Sequence, residues 1–445
     1  MNIGGTLIAG AATQPLRGEI TVPGDKSISH RSIMLAALAD GITEIHGFLP
    51  GQDNLATARI FECMGVAIQW LNAEKTSLQV HGVGLHGLQE PMMVLDAGNA
   101  GTCVRLLSGI LAGQSFHSVL VGDESLHRRP MLRVVELLRK AGACIDGREQ
   151  GAYLPLAIRG QSLHGMTHVM RVASAQVKSC LLLAGLYAKG ETRVREPRPT
   201  RDHTERMLPL FGQAVWKDGH DIVLQPIGSL QAPALPIHIP ADPSSAVFFA
   251  VAGALVDGSS LNLGTVGINP RRDGWRRVLE AMQANIEVSA CPNVGEEPVA
   301  EIKISGSVLH GITVAATDVP DAIDEFPALF VAAALAEGDF VLVGAEELRV
   351  KESDRIASMV AALRAAGADI EEHPDGVHIR GCARLAGGVA IDAHGDHRIA
   401  MAMAVAAQCA DAPITVYNAA AIATSFPDFV AQAQAVGMNI KWQET

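Results

Sequence analysis

The chain has 445 residues, with 47 acidic against 35 basic side chains and a net charge of −12, so it lacks the broad basic surface that nucleic-acid binding requires. It is 48% hydrophobic but only 4% aromatic, which points to a core of Ala, Leu, Val and Ile, and its length suggests two or three domains. The longest apolar runs, such as 179–188 and 399–407, are too short to span a bilayer, and residues 1–14 lack the basic start of a signal peptide.

Seven scattered cysteines show no metal or redox spacing, so reduced core thiols in a cytoplasmic protein are expected.

In chain order, the first informative stretch is Pro23-Gly24-Asp25-Lys26-Ser27-Ile28-Ser29-His30-Arg31, set between an extended segment (19–22) and an apolar run (33–39). Pro-Gly breaks the strand, and Ser27 is the expected N-cap of the helix that follows. A helix N-terminus carries unpaired N–H groups and partial positive charge; with Lys26, Ser27 and Arg31 added it suits a phosphate or carboxylate. The plainer alternative is a capped helix with solvated charges. A Walker loop is excluded, because Asp25 stands where Gly must precede the Lys.

Two patterns then recur in step. An apolar helical run followed by a turn and a strand appears at 36–45, 108–121, 184–194, 251–263, 331–343 and 403–417. An amphipathic helix ending in Gly before a short strand appears around Gly65, Gly142, Gly212, Gly367 and Gly437, with Gln283 in the one remaining copy. The spacing is roughly 70–85 residues, the mark of a repeated architecture. Helices apolar all round must be buried, so six units grouped as two three-unit domains are expected, with apolar helices inside and sheets outside. The expected domains are 24–239, and 1–23 with 240–445, with hinges near 23–24 and 236–243, where Pro236, Pro240 and Pro243 cluster.

The starts of the apolar helices are rich in polar and cationic groups: Lys26, Ser27 and Arg31; Asn99, Thr102 and Arg105; Ser174, Gln176 and Lys178; Asp242 and Ser244; Asp324 and Glu325; Asp396, His397 and Arg398. If the three helices of a domain run parallel, their positive ends meet in one region, and two such domains facing each other enclose a site for a multiply charged anion. Loop clusters at 126–130, 200–206 and 349–355 add cations, and Asp324, Glu352, Asp354 and His397 are acid–base candidates. Two decoys fail. Gly82-Val83-Gly84-Leu85-His86-Gly87 matches a dinucleotide motif, but Gln-Glu-Pro follows it rather than a helix. The 392–397 Asp/His cluster fits no zinc spacing, so neither metal nor cofactor is expected.

Taken together, Pro23–Arg31, Gly98-Asn99-Ala100-Gly101-Thr102, Arg128-Arg129-Pro130-Met131, Ala173-Ser174-Ala175-Gln176, Arg201-Asp202-His203-Thr204-Glu205, Arg349–Arg355, Asp396-His397-Arg398 and Thr424-Ser425-Phe426-Pro427 resemble the 5-enolpyruvylshikimate-3-phosphate (EPSP) synthase family across nearly the whole chain. The resemblance implies an α/β fold of two inside-out domains, each of three βαβαββ units with buried parallel helices. It also implies transfer of the enolpyruvyl group of phosphoenolpyruvate to shikimate 3-phosphate, by a monomer without metal or membrane attachment.

By motif, Lys26, Ser27, Arg31, Ser174, Gln176, Arg201, Asp324 and Lys351 are implied for shikimate 3-phosphate, and Lys26, Gly101, Arg129, Gln176, Arg355 and Arg398 for phosphoenolpyruvate. Asp324, Glu352, Lys26 and Lys351 are the implied catalytic set. Leu106 and Thr424 depart from many plant and enteric members and resemble the family's second sequence class, while Gly101 leaves room for competitive glyphosate binding. Two alternatives remain. One is UDP-N-acetylglucosamine enolpyruvyl transferase, which shares the fold but uses a loop Cys that residues 122–130 lack. The other is a non-catalytic phosphometabolite-binding protein.

Overall fold

The computed structural model describes residues 4–443. The chain divides into two compact units, Gly24–Ile239 and the residues up to Pro23 joined with those from Pro240 onward. Each unit closes around its own cluster of buried apolar side chains. Six apolar helices, numbered α1 to α6 in chain order, supply much of that core: α1 (Lys26–Ala37), α2 (Gly101–Ala112), α3 (Ala175–Gly185), α4 (Pro243–Leu255), α5 (Phe326–Ala334) and α6 (His397–Ala406). All of α4, α5 and α6 is buried apart from Leu255, because none of the three has a wide polar face to give to water.

Sheets cover these helices, and one strand order recurs. In the Gly24–Ile239 unit, Ala39–His46 pairs parallel with the short strands Leu230–Gln231 and Ile237–His238. It pairs antiparallel with Ser77–Val83, whose other edge takes Ala67–Trp70 antiparallel. The same parallel, antiparallel, antiparallel succession orders Leu95–Asp96, His117–Val121, Tyr153–Arg159 and Cys144–Gly147, and again Thr167–Val169, Thr192–Arg195, Asp221–Leu224 and Val215–Asp218.

In the other unit it orders Arg17–Ile20, Ser260–Gly267, Glu297–Ser305 and Asn285–Val294. Ala390–Asp392, Ile414–Tyr417, Leu7–Ala9 and Ile440–Trp442 repeat it, so a strand from the start of the chain is central in a sheet made otherwise by its end. The three-stranded sheet Asp339–Leu342, Gly376–Arg380, Asp369–His373 gains its parallel neighbour only as a bridge from Thr313 to Val341. The strands alternate. In Tyr153–Arg159, Leu154, Leu156 and Ile158 are buried while Pro155 and Arg159 face out.

The six stops read from the sequence share one backbone geometry. Gly65, Gly142, Gly212, Gly367 and Gly437 all have left-handed φ, and Gln283 adopts φ 67° without being glycine. Glycine enters this region freely, and Gln283 bears the steric cost of doing the same job. Before Gly212 the expected amphipathic helix is a short α-helix, His203–Met207, tightening into a 3-10 turn, Leu208–Phe211, at Pro209. The cysteines are all free, but only Cys103 and Cys180 are buried; Cys63 and Cys144 are exposed, which corrects the expectation of core thiols throughout.

Candidate active site

The cap of α1 is Asp25, not Ser27: its carboxylate accepts from Ile28 N at 2.8 Å, because the helix starts at Lys26. Ser27 is thereby left inside the first turn, where its carbonyl accepts from Arg31 Nη1 at 2.8 Å. Lys26 Nζ pairs with Asp53 Oδ2 at 2.5 Å, and Asn54 holds the Lys26 carbonyl at 2.9 Å. Arg31 is buried. Its Nε donates to Thr204 Oγ1 and its Nη2 to Ser179 Oγ, at 2.8 and 2.7 Å, which ties α1 to α3 and to the 203–207 helix.

Ser174 caps α3 by accepting from Val177 N, and Gln176 bridges to α2, accepting from Arg105 Nη1 at 2.6 Å and donating to Thr102 Oγ1 at 2.9 Å. Gly101 begins α2, where a Cβ would lie 2.9 Å from Arg129 Nη1 and 3.1 Å from Arg105 Nη1. Asn99 does not cap α2; it accepts from Arg129 Nη2 at 2.7 Å and donates to Asp123. Arg201 stands partly exposed just ahead of the 203–207 helix. Side chains thus tie the start of α2 to that of α3 through Arg105, Thr102 and Gln176, while Arg31 of α1 reaches α3 one turn further along, at Ser179. Of the eight residues expected in this unit, Gly101, Arg129 and Gln176 gather around Asn99 and Arg105, Ser174 caps the helix that carries Gln176, and Lys26, Ser27 and Arg31 share the first turns of α1.

The other unit builds a second cluster. Asp324 precedes α5, and its Oδ1 lies 3.1 Å from Lys351 Nζ and 3.3 Å from Arg355 Nη1. Arg355 also meets Glu352 Oε2 at 2.5 Å and Asp396 Oδ2 at 2.8 Å. Arg398 donates to the Asp324 carbonyl at 2.7 Å and lies 3.8 Å from Glu325, which also accepts from Ser244 at the start of α4. So α4, α5 and α6 also meet at their N-terminal ends, and all five residues expected here (Asp324, Lys351, Glu352, Arg355, Arg398) fall in one constellation.

Electrostatics follow from burial. Desolvation alone would lower the pKa of Arg355, but Asp396, Glu352 and Asp324 outweigh it and hold the guanidinium above its ordinary value. Desolvation would raise Asp396, and Arg355 overcomes that to keep the carboxyl below its usual range. In α1, burial, with Lys26 and Arg31 nearby, pushes His30 well down, so that side chain stays neutral against Thr57.

Among the members of these clusters, Asn99, Arg105, Glu325 and Asp396 are legible in the sequence only as polar groups at helix starts, without a role of their own, and Asp53 is not legible as a site residue at all. Arg105 and Asp396 stand at helix starts within the motifs, so position was their signal; Asp53 had none.

Carboxylates flanked by lysine and arginine at converging helix starts can bind phosphate or carboxylate and move protons beside them. The fold and these clusters define a mixed α/β enzyme acting on small anions. The sequence model of the family described as EPSP synthase (3-phosphoshikimate 1-carboxyvinyltransferase) matches residues 11–432. The chain is 54% identical to the 3-phosphoshikimate 1-carboxyvinyltransferase of Methylococcus capsulatus, over 96% of both chains. It is 52% identical to that of Acidithiobacillus ferrooxidans, also over 96% of both. A solved EPSP synthase structure from Acinetobacter baumannii superposes with a TM-score of 0.87 at 46% identity, covering 99% of this chain and 100% of that one. The chain belongs to the EPSP synthase family, and its activity is 3-phosphoshikimate 1-carboxyvinyl transfer, a step of the shikimate pathway.

Among the described residues no helix is long and apolar enough to cross a membrane.

Proposed function

We propose that this chain transfers the enolpyruvyl group of phosphoenolpyruvate to the 5-hydroxyl of shikimate 3-phosphate by addition and elimination, in the cytoplasm. The hydroxyl oxygen attacks C2 of phosphoenolpyruvate while C3 gains a proton. The resulting ketal loses phosphate from C2 and a proton from C3, which restores the double bond. Asp324 takes the hydroxyl proton, and Glu352 with Lys351 carries the proton to and from C3.

Lys26, Ser27, Arg31, Ser174, Gln176, Arg201, Asp324 and Lys351 hold shikimate 3-phosphate, and Lys26, Gly101, Arg129, Gln176, Arg355 and Arg398 hold phosphoenolpyruvate. Arginine forks suit both phosphate and carboxylate. The fold proposed with this reading is a pair of inside-out domains of three βαβαββ units each, of the second sequence class. The strand order, complete in five sheets and with its parallel neighbour reduced to a bridge in the sixth, and the six left-handed helix stops support the repeat.

The observation that carries the mechanism is Asp324 beside both Lys351 and Arg355, with Glu352 on the same guanidinium. The test is release of phosphate from phosphoenolpyruvate. Release is expected with shikimate 3-phosphate and not with UDP-N-acetylglucosamine; the reverse pattern, or no release with either, would reject the reading.

A further inference from the structure

The 196–206 segment, which carries Arg201, is fastened from the inside by one helix. Lys178 on α3 is buried, and its ammonium has three donors. It lies 2.7 Å from Glu205 Oε1, 3.3 Å from the Glu196 carboxylate and 3.2 Å from the Thr200 carbonyl. Glu196 in turn accepts from Thr200 N at 3.2 Å and from Thr200 Oγ1 at 2.6 Å, closing a tight loop immediately ahead of Arg201. On the far side, Ser179 accepts from Thr204 Oγ1 at 2.8 Å. Arg201 is therefore flanked on both sides by residues bound to consecutive side chains of α3, the helix whose start also carries Ser174 and Gln176.

We propose that Lys178 is a positioning residue for shikimate 3-phosphate, acting through Arg201. It touches neither substrate. Its ammonium holds the loop ends so that the Arg201 guanidinium is already in register with Ser174 and Gln176 when substrate arrives, and no ordering cost falls on binding. The energetic logic is local: Glu196 and Glu205 are nearly buried carboxylates, and without the ammonium they repel each other and draw water in, which frees the loop. Desolvation already raises Glu205 despite its partner, so the pair has little charge stabilisation to spare.

The inference rests on the reading that Arg201 binds shikimate 3-phosphate, and the experiment separates the two. Lys178→Met alone strands two buried carboxylates and risks unfolding. The informative variant is therefore Lys178→Met/Glu196→Gln/Glu205→Gln, which leaves no unpaired charge, with folding checked by thermal melting. Steady-state kinetics are measured for both substrates in the wild-type and Arg201→Ala backgrounds.

The triple variant is expected to raise KM for shikimate 3-phosphate about tenfold while kcat and KM for phosphoenolpyruvate stay within about twofold. In the Arg201→Ala background it is expected to add almost nothing, since the two act as one unit. An unchanged KM in the triple variant, or an effect that adds in full to Arg201→Ala, overturns the positioning role. If Arg201→Ala itself leaves KM for shikimate 3-phosphate at the wild-type value, the assignment of Arg201 fails and the role of Lys178 falls with it.

Discussion

Arg355 Nε donates to Asp396 Oδ2 at 2.8 Å where both side chains are sealed from solvent, 1% and 0% exposed. Asp396 serves twice, because its other oxygen accepts from Arg398 N at the start of α6. One carboxylate thus sets the side chain of one proposed phosphoenolpyruvate arginine and the backbone of the other. Asp396→Asn keeps a capping oxygen and removes the charge. Breaking a buried pair of this kind costs about 3–5 kcal/mol. The expected result is a lower melting temperature together with a KM for phosphoenolpyruvate raised more than KM for shikimate 3-phosphate. Equal wild-type values for all three would rule out this arrangement of the arginines.

Asp324 and Glu352 lie on the same guanidinium but are proposed for different protons. Asp324→Ala and Glu352→Gln should each lower kcat by about 100-fold or more, the usual weight of a general acid–base group. Glu352→Gln should also slow exchange of solvent deuterium into C3 of phosphoenolpyruvate, measured by NMR. Turnover near wild type in both variants would discard the assignment.

Gly101 has no room for a side chain without moving a guanidinium, since the added Cβ would come within 2.9 Å of Arg129 Nη1. Gly101→Ala is expected to raise KM for phosphoenolpyruvate about tenfold, with KM for shikimate 3-phosphate changed less than twofold. In the unaltered protein, sub-millimolar glyphosate should compete with phosphoenolpyruvate, and Gly101→Ala should weaken that inhibition; initial-rate plots at varied phosphoenolpyruvate decide both.

His168, in the strand Thr167–Val169, is buried with Nδ1 lacking a hydrogen-bond partner. Burial, helped by Lys140, lowers its pKa from 6.5 to about 4. The native ring is therefore neutral where the unfolded ring takes a proton. Stability from this group is full above about pH 6.5 and declines as pH falls toward 4, by up to about 3 kcal/mol. His168→Leu should flatten that part of the profile in urea titrations at about pH 7, 5.5 and 4.5. An unchanged slope would mean that other groups govern it.

Much of the architecture is legible in the order of the amino acids. The six helix stops depend on a local backbone conformation, so Gly65, Gly142, Gly212, Gly367 and Gly437 signalled them directly, and even Gln283 was found by its place in the pattern. The motif residues Lys351, Glu352 and Arg355 are near neighbours in the chain, the first two just ahead of the helix Arg355–Ala365 that Arg355 opens, so their proximity is also legible. The sequence points to Ser27 where the structure has Asp25 as the cap of α1, because both are good capping residues two positions apart and only the path of the chain into the helix chooses between them.

What the amino-acid order alone determined was local: where apolar helices begin and end, which strands follow them, and which residue types gather at the helix starts. Only the tertiary structure decided that Lys26 meets Asp53, that Gln176 meets Arg105, and that Arg355 closes on Asp396, 41 positions away. The physical reason is that a helix stop is set by a few torsion angles within one turn. The partner of a charge is set by distance and burial, and those exist only once the chain has folded.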